Sequence, residues 1–262
     1  MRRALRAEWT KLRTVSSTAW LLLAAVTFTV AVSTLATASV DTSQCPTPTT
    51  CFEDTTKLSL TGVWLGQIAV VVLAVLAMTN EYDTGMIHTT LAANPQRGMV
   101  FVTKATVVTA TVLAAATVGV LGSLLAARTI LPGNGFTPAN GYPPLSLADE
   151  PTLRAAVGTV LYLGLVALLS LGVGTAIRDT AGAITTVLTL LFVFPVIAAF
   201  VTDPPWHERL QKLAPMTAGL AIQATKGLDQ LPIRPWAGLG VLAAYAGTAM
   251  LVGAALFKLR DA

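Results

Sequence analysis

Six long stretches of the chain contain no charged residue, and they limit how it can fold. One has 27 residues and the other five have 23 each: 14–40, 58–80, 105–127, 155–177, 180–202 and 235–257. A helix needs about 20 mainly apolar residues to cross a bilayer, so each stretch is long enough to do so. Only 11% of all residues are charged, whereas a soluble domain carries about 25%.

The sequence therefore predicts an all-α integral membrane protein with six transmembrane helices. We expect one membrane domain over residues 1–262, with spans at about 18–39, 60–79, 105–127, 155–177, 181–201 and 236–257. A seventh charge-free run, 129–148, contains four prolines and cannot form a continuous helix, so we expect an external loop there.

The distribution of Lys and Arg predicts the orientation. The predicted loops on the side of the two termini hold ten of these residues, and the loops on the other side hold seven. Cytoplasmic loops carry the excess of positive charge, so both termini are expected in the cytoplasm. The net charge of +4 follows from this asymmetry and gives no support to nucleic-acid binding.

Residues 1–17 are predicted to form an amphipathic helix on the membrane surface before the first span. Leu5, Trp9 and Leu12 fall on one face of such a helix, and Trp favours the membrane interface. The alternative is a basic flank that only obeys the rule of positive charge inside.

The two cysteines, Cys45 and Cys51, both fall in the first predicted external loop. Pro46 and Pro48 between them favour a tight turn, so a local disulfide is one interpretation and two unpaired thiols are the other.

No Asp, Glu, Lys, Arg or His lies within the six charge-free stretches. Ion-coupled transporters usually carry such residues at membrane depth, and intramembrane proteolysis needs catalytic groups there. The phosphate-binding pattern GxxxxGK[ST] is also absent from the sequence, so this chain is not expected to hydrolyse ATP by that route or to be an enzyme. Any energy source must then come from another subunit.

The segment 80–104, NEYDTGMIHTTLAANPQRGMVFVTK, carries the most specific pattern in the chain. Thr84 is expected to cap a short helix over 85–93, with Ile87 and Leu91 on one face. Such a helix between two spans suits docking into a groove on a cytoplasmic partner. The alternative is an ordinary solvated loop.

This segment, together with "EWTKLRT" near the start, resembles the membrane permease subunits of ABC-2-type transporters, which are ATP-binding-cassette exporters. The likeness is greatest to small six-span permeases of high-GC Gram-positive bacteria. In such permeases the loop after the second span reads E-Y-x-x-G-x-[IL]-x-x-T-L, which is matched here by Glu81, Tyr82, Gly85, Ile87, Thr90 and Leu91.

The resemblance implies that this loop, including Thr84, carries a coupling helix beside the amino-terminal helix, in a bacterial plasma membrane. It also implies three partners: a cytoplasmic ATPase dimer that binds ATP-Mg, a second permease copy or a related permease, and the lipid bilayer. No cofactor is expected on this chain itself.

The loop between the last two spans includes a 13-residue charge-free segment, 213–225, which is too short to span a bilayer. Pro215 with Ala218 and Gly219 resembles the "LP-x-x-AG" element of the same family, although Ala214 stands where Leu is usual. This likeness predicts re-entrant external helices before the final span.

The leading hypothesis is a permease that forms a translocation path as a dimer and is driven by a separate ATPase. Spans without charge favour hydrophobic or amphipathic cargo such as lipids, antibiotics or peptides. Two alternatives remain: a non-transporting membrane scaffold or sensor, and a lipid-acting membrane enzyme that would use the few boundary carboxylates.

Overall fold

The computed structural model describes residues 2–44, 53–93, 96–201 and 203–259. Cys45 and Cys51 lie outside these ranges, and the disulfide stays a prediction. The described residues form eleven α-helices and no strand: α1 (Arg2–Thr14), α2 (Ser16–Ala38), α3 (Thr55–Ser59), α4 (Val63–Asp83), α5 (Met86–Ala93), α6 (Arg97–Ile130), α7 (Glu150–Ile177), α8 (Thr180–Phe200), α9 (Pro204–Leu213), α10 (Pro215–Leu220) and α11 (Pro235–Leu259).

The six predicted spans are confirmed as α2, α4, α6, α7, α8 and α11, each long and apolar enough to cross a membrane. Four of them run further than their charge-free stretches: α4, α6, α7 and α11. The α4 helix continues to Asp83 and α6 begins at Arg97. The loop predicted over 80–104 therefore consists mostly of helix, because the span ends continue beyond the hydrocarbon-length segment.

The α1 helix and the carboxyl-terminal end of α11 lie on one side of the bundle, which we call the terminal side. The guanidinium of Arg97, at the start of α6, donates to the carbonyl of Phe257 near the end of α11 at 3.4 Å. The α1 helix packs against α6 on this same side. An even number of spans brings the chain back to the side on which it started. Together with these two contacts, this places α1, α5 and the end of α11 on the terminal side.

The seventh charge-free run does not form a span, as predicted. After α6 ends at Ile130, the chain makes two short 3₁₀ turns, Leu131–Asn134 and Pro138–Asn140. Each turn ends at a glycine with positive φ, Gly135 and Gly141. This loop covers the side opposite to the terminal side.

Small residues bring the spans into close contact. Gly62, the N-cap of α4, and Gly66, on its first turn, lie directly against Thr29 of α2. The backbone N–H of Gly62 donates to Ser33 Oγ at 2.9 Å. Gly172 of α7 packs on the backbone of Ala249 in α11. With no water between helices in a bilayer, such close backbone approach is a main source of packing energy.

The short helices predicted before the final span are present as α9 and α10, between α8 and α11. Their re-entry into the bilayer stays a prediction. Pro215, Ala218 and Gly219 all lie in α10 and are buried. Gly219 lies against the ring of Tyr162 in α7, and Ala218 lies against Gly238 in α11. The α10 helix thus fills the space between these spans near the side opposite to the terminal side.

The close approach of α7 and α11 predicts a sharp difference between two glycines. A Cβ at Gly172 would lie 2.5 Å from the carbonyl carbon of Ala249, which is backbone and cannot rotate away. We expect Gly172→Ala to destabilise the bundle by about 1–3 kcal/mol, the usual cost of overpacking. Reversible unfolding in mixed detergent micelles measures this change.

Gly240→Ala is the matched control, because Gly240 is also inside a spanning helix and has open space around the position of a Cβ. We expect it to be neutral or slightly stabilising, since Ala favours helix over Gly by about 1 kcal/mol. Equal effects of the two substitutions would contradict the close contact.

Candidate functional site: an ionic cluster at the terminal side

Four charged side chains from three helices meet at the terminal side, and we call them the ionic cluster: Glu8 of α1, Lys11 of α1, Glu81 of α4 and Lys104 of α6. Lys104 Nζ donates to Glu8 Oε2 at 3.0 Å and to Glu81 Oε1 at 2.9 Å. Lys11 Nζ donates to Glu8 Oε1 at 3.1 Å and to Glu81 Oε1 at 2.8 Å.

The ionic cluster is buried and its formal charges balance. The solvent-exposed fraction is 6% for Glu8, 6% for Glu81 and 4% for Lys104, and it is 33% for the Lys11 side chain. Transfer of single charges out of water costs several kcal/mol each, which is offset only when charges are paired and hydrogen-bonded. The two ammonium groups and two carboxylates therefore depend on one another.

Lys11 also joins the ionic cluster to α5. Its Nζ lies 3.2 Å from Thr90 Oγ1, so one ammonium group contacts α1, α4 and α5. Burial alone would lower the pKa of Lys11, but the hydrogen bonds and charges of Glu81 and Glu8 outweigh it and raise this pKa above its ordinary value. Lys11 thus stabilises the folded state fully at neutral pH, and this contribution is lost only as the pH rises through the raised pKa.

Several residues of the predicted coupling segment belong to the end of α4 instead of a loop. Tyr82 is half-buried, with the Arg178 guanidinium carbon 4.9 Å from its ring centroid. Thr84 does not cap the helix that follows it. It ends α4, and its hydroxyl donates back to the carbonyl of Asn80 at 2.6 Å. The prediction that Thr84 caps the short helix is therefore wrong, because that helix begins at Met86 and Gly85 occupies its N-cap position.

The short helix itself is present as α5. Gly85 joins it to α4 with a φ of +68°, a left-handed conformation that glycine adopts without a Cβ penalty. Ile87 is 2% exposed and packs into the main core, whereas Met86 is 45% exposed. The side chain of Leu91 lies outside the described part of the structure, so its predicted shared face with Ile87 is untested.

The α1 helix contacts the bundle through polar residues, which the apolar pattern did not predict. Glu8 and Lys11 face the spans, whereas Trp9 is 51% exposed and Leu5 is half-buried. The side chain of Leu12 is not among those described. An exposed Trp beside the end of a span remains suited to the membrane interface.

The turn between α7 and α8 is fastened to the same end of α4. Thr180 Oγ1 lies 2.7 Å from Thr79 Oγ1 and donates to Asp83 Oδ2 at 2.9 Å. Asp179 caps the start of α8 by accepting from the N–H of Gly182 at 2.6 Å. Residues at the end of α4 thus connect α1, α5, α6 and the turn between α7 and α8.

A second polar group lies inside the bundle, beside α10. The hydroxyl of Tyr162 donates to Gln67 Oε1 at 2.6 Å, and Gln67 Nε2 lies 3.4 Å from the sulfur of Met216. All three side chains are fully buried. This group attaches α10 to α4 and α7, and its hydrogen bonds are internal, as polar groups at membrane depth require.

A carboxylate anchors the loops on the opposite side. Asp54 accepts from the N–H of Thr225 at 2.5 Å, from the hydroxyl of Thr225 at 2.7 Å and from the N–H of Lys226 at 3.0 Å. It also accepts from the N–H of Lys57 at 3.0 Å, which caps α3. The first loop on this side therefore holds the segment that follows α10.

Within the described residues, no group of three or more His, Cys, Asp or Glu side chains is placed to hold a metal ion. Glu8 and Lys104 were not among the site residues expected from the sequence. The available signal was the position of oppositely charged residues at the ends of separate helices, and pairing between them depends on tertiary structure.

The burial of the ionic cluster predicts a large effect from removing one charge. Lys104→Met leaves Glu8 and Glu81 facing each other with one cation fewer, and we expect a loss of about 3–5 kcal/mol, as for other broken buried pairs. The free energy of unfolding in mixed micelles is the measurement.

Lys212→Met provides the matched control, because Lys212 pairs with Glu208 at 2.6 Å on an exposed surface, with side chains 44% and 55% exposed. We expect a change below about 1 kcal/mol there, since exposed pairs contribute little. A loss for Lys104→Met as small as that for the control would contradict the buried pairing.

Comparison with known proteins assigns the chain to no family. No family model matches the sequence, and no curated protein matches it. The function of this chain is therefore inferred from its residues and their geometry.

Proposed function

We propose that the chain is the membrane permease subunit of an ATP-binding-cassette exporter, driven by a separate ATPase. The observation that carries this proposal is the placement of α5. It is a short helix between the second and third spans, on the terminal side, and its Thr90 contacts Lys11 of the ionic cluster. A helix so connected to the spans suits the transmission of movement from a partner on that side.

The exposed and buried faces of α5 support a docking role. Ile87 is buried in the bundle and holds the helix in place, while Met86 and Thr89 are exposed. Exposed Met is common at surfaces that bind other proteins, because its unbranched side chain adapts to a groove. We propose that this exposed face binds the ATPase subunit, which would bind ATP-Mg.

The orientation and location follow from the charge distribution. We propose that the terminal side faces the cytoplasm, since the excess of Lys and Arg falls there. The protein would then be a multi-pass protein of the bacterial plasma membrane, and α5 would be accessible to a cytoplasmic ATPase.

The surfaces of the spans support a hydrophobic or amphipathic cargo. An apolar cavity of about 530 Å³ lies between α7, α8 and α11, and the exposed face of α8 carries Thr185, Thr186 and Thr189. A helix face that carries hydroxyl groups on an otherwise apolar span is suited to line a translocation path for an amphipathic cargo. We propose that this face meets a second permease, either another copy or a related chain.

The proposed docking face predicts a specific loss of partner binding. Met86→Asp places a charge on the exposed face of α5, and we expect binding of the ATPase subunit to weaken about tenfold or more, as at a central interface residue. The measurement is the amount of a co-purified chain that carries the GxxxxGK[ST] pattern, together with the stimulation of its ATPase activity.

Leu213→Asp is the control for this test. Leu213 is 59% exposed at the end of α9, on the opposite side of the bundle, so the same change in charge should leave ATPase binding intact. Retention of the ATPase by both variants alike would remove the support for α5 as its docking helix.

A further inference from the structure

A cavity of about 460 Å³ opens beside the ionic cluster, between α1, α2, α4 and α6. Its volume falls within the range of small-molecule sites, about 300–1,000 Å³. One end is apolar, formed by Leu21, Leu73, Leu76, Ala77, Val107 and Val108. The other end is polar and includes Glu8, Lys11, Glu81 and Lys104. The cavity thus combines an apolar part with a charged part.

The cavity extends along the spans at the depth of one leaflet. On α4 its lining runs from Leu73 to Glu81, eight residues, which is about 12 Å along a helix axis. The apolar end therefore lies within the hydrocarbon on the terminal side, and the charged end lies at the boundary. An occupant needs an apolar chain and a polar head arranged in the same order.

The hydrogen bonds of the ionic cluster show which head group fits. Both oxygens of Glu8 accept from lysines, and Glu81 Oε1 accepts from both Lys11 and Lys104. Glu81 Oε2 is buried and has no hydrogen-bond partner within the described residues. A buried carboxylate oxygen without a donor is costly, so the site favours a ligand that brings an N–H or O–H donor.

The charge balance narrows the choice further. The two lysines and two glutamates already balance, so a ligand with a net charge would leave an uncompensated charge in a site of low polarity. A zwitterionic head group with an ammonium supplies the donor and adds no net charge. Ser17 and Asn80 line the same end and are exposed, with side chains that can donate to a phosphate.

From these observations we propose that the cavity holds a zwitterionic aminophospholipid of the terminal-side leaflet. Its ammonium donates to Glu81 Oε2, its phosphate lies near Ser17 and Asn80, and one acyl chain fills the apolar end. This lipid belongs to the bilayer and is separate from any exported cargo. The cavity shares Met86 and Lys11 with the proposed docking region, but lipid binding by the purified chain needs no ATPase, so the two proposals can fail separately.

The test compares lipids that differ only in the head group. The purified full-length chain, in detergent micelles, is titrated with dioleoyl phosphatidylethanolamine, dioleoyl phosphatidylcholine and dioleoyl phosphatidylglycerol, and bound lipid is counted by native mass spectrometry. Phosphatidylcholine carries three methyl groups in place of the ammonium hydrogens. We expect phosphatidylethanolamine to bind about tenfold more tightly than either of the others, the size expected for one hydrogen bond to a charged group.

A pair of variants places the lipid in this cavity. Ala77 lines the apolar end and is half-buried, so Ala77→Phe fills the space of the acyl chain. Ala114 is exposed on the outer face of α6, and Ala114→Phe adds the same side chain outside the cavity. We expect the first variant to lose the preferred lipid and the second to retain it.

Each other result overturns the proposal. Equal binding of phosphatidylethanolamine and phosphatidylcholine would show that Glu81 Oε2 takes no donor from the lipid. Equal binding of phosphatidylglycerol would show that the zwitterion is not needed. Undiminished binding to a folded Ala77→Phe variant would show that the lipid binds elsewhere. The first two tests compare lipids on the wild-type protein, so a folding defect in a variant does not affect them.

Discussion

An unpaired ionised side chain in hydrocarbon costs too much free energy for a stable fold. This constraint determines where the charged side chains of the bundle lie and with which groups they pair. The six spans carry their charges only at their ends, where the charges either reach water or pair with one another. At the terminal side the pairing is complete enough to bury Glu8, Glu81 and Lys104. On the other side Asp54 performs a similar task with backbone N–H groups and one hydroxyl. Between these two sides, the spans are held together by close packing at small residues and by internal hydrogen bonds.

The two sides of the bundle are held by different chemistry. The terminal side relies on side chains of opposite charge from separate helices, whose attraction depends on both partners being present. The opposite side relies on α10, whose Pro215, Ala218 and Gly219 pack among the spans, and on the contact of Tyr162 with Gln67. Loss of one group on the terminal side therefore leaves a charge exposed to low polarity, whereas loss on the opposite side leaves a hydrogen bond or a cavity.

Much of the fold could be predicted from the sequence because hydrocarbon imposes a length and a composition on each span. The six spans, the loop in place of the seventh run and the short helices before α11 all follow from that rule or from the family resemblance. The ends of α4 and α6 could not be predicted, since a helix continues past the membrane wherever its polar residues find partners. Glu8 and Lys104 belong to the ionic cluster because the fold brings separate helices together, and no local sequence pattern predicts such a pairing. Thr84 was assigned to the wrong helix because a Thr hydroxyl can either accept from an N–H of a following helix or donate back to a carbonyl four residues earlier, as it does here to Asn80.

The connection between α4 and α5 has a mechanical consequence. Only Thr84 and Gly85 separate the two helices, and Gly85 adopts a left-handed conformation. A second tether joins Thr90 of α5 to Lys11 of α1. The buried side chain of Ile87 holds α5 at a third point between them. A force on the exposed face of α5 is therefore passed to α1 and α4, because α5 has no free end on which to turn by itself.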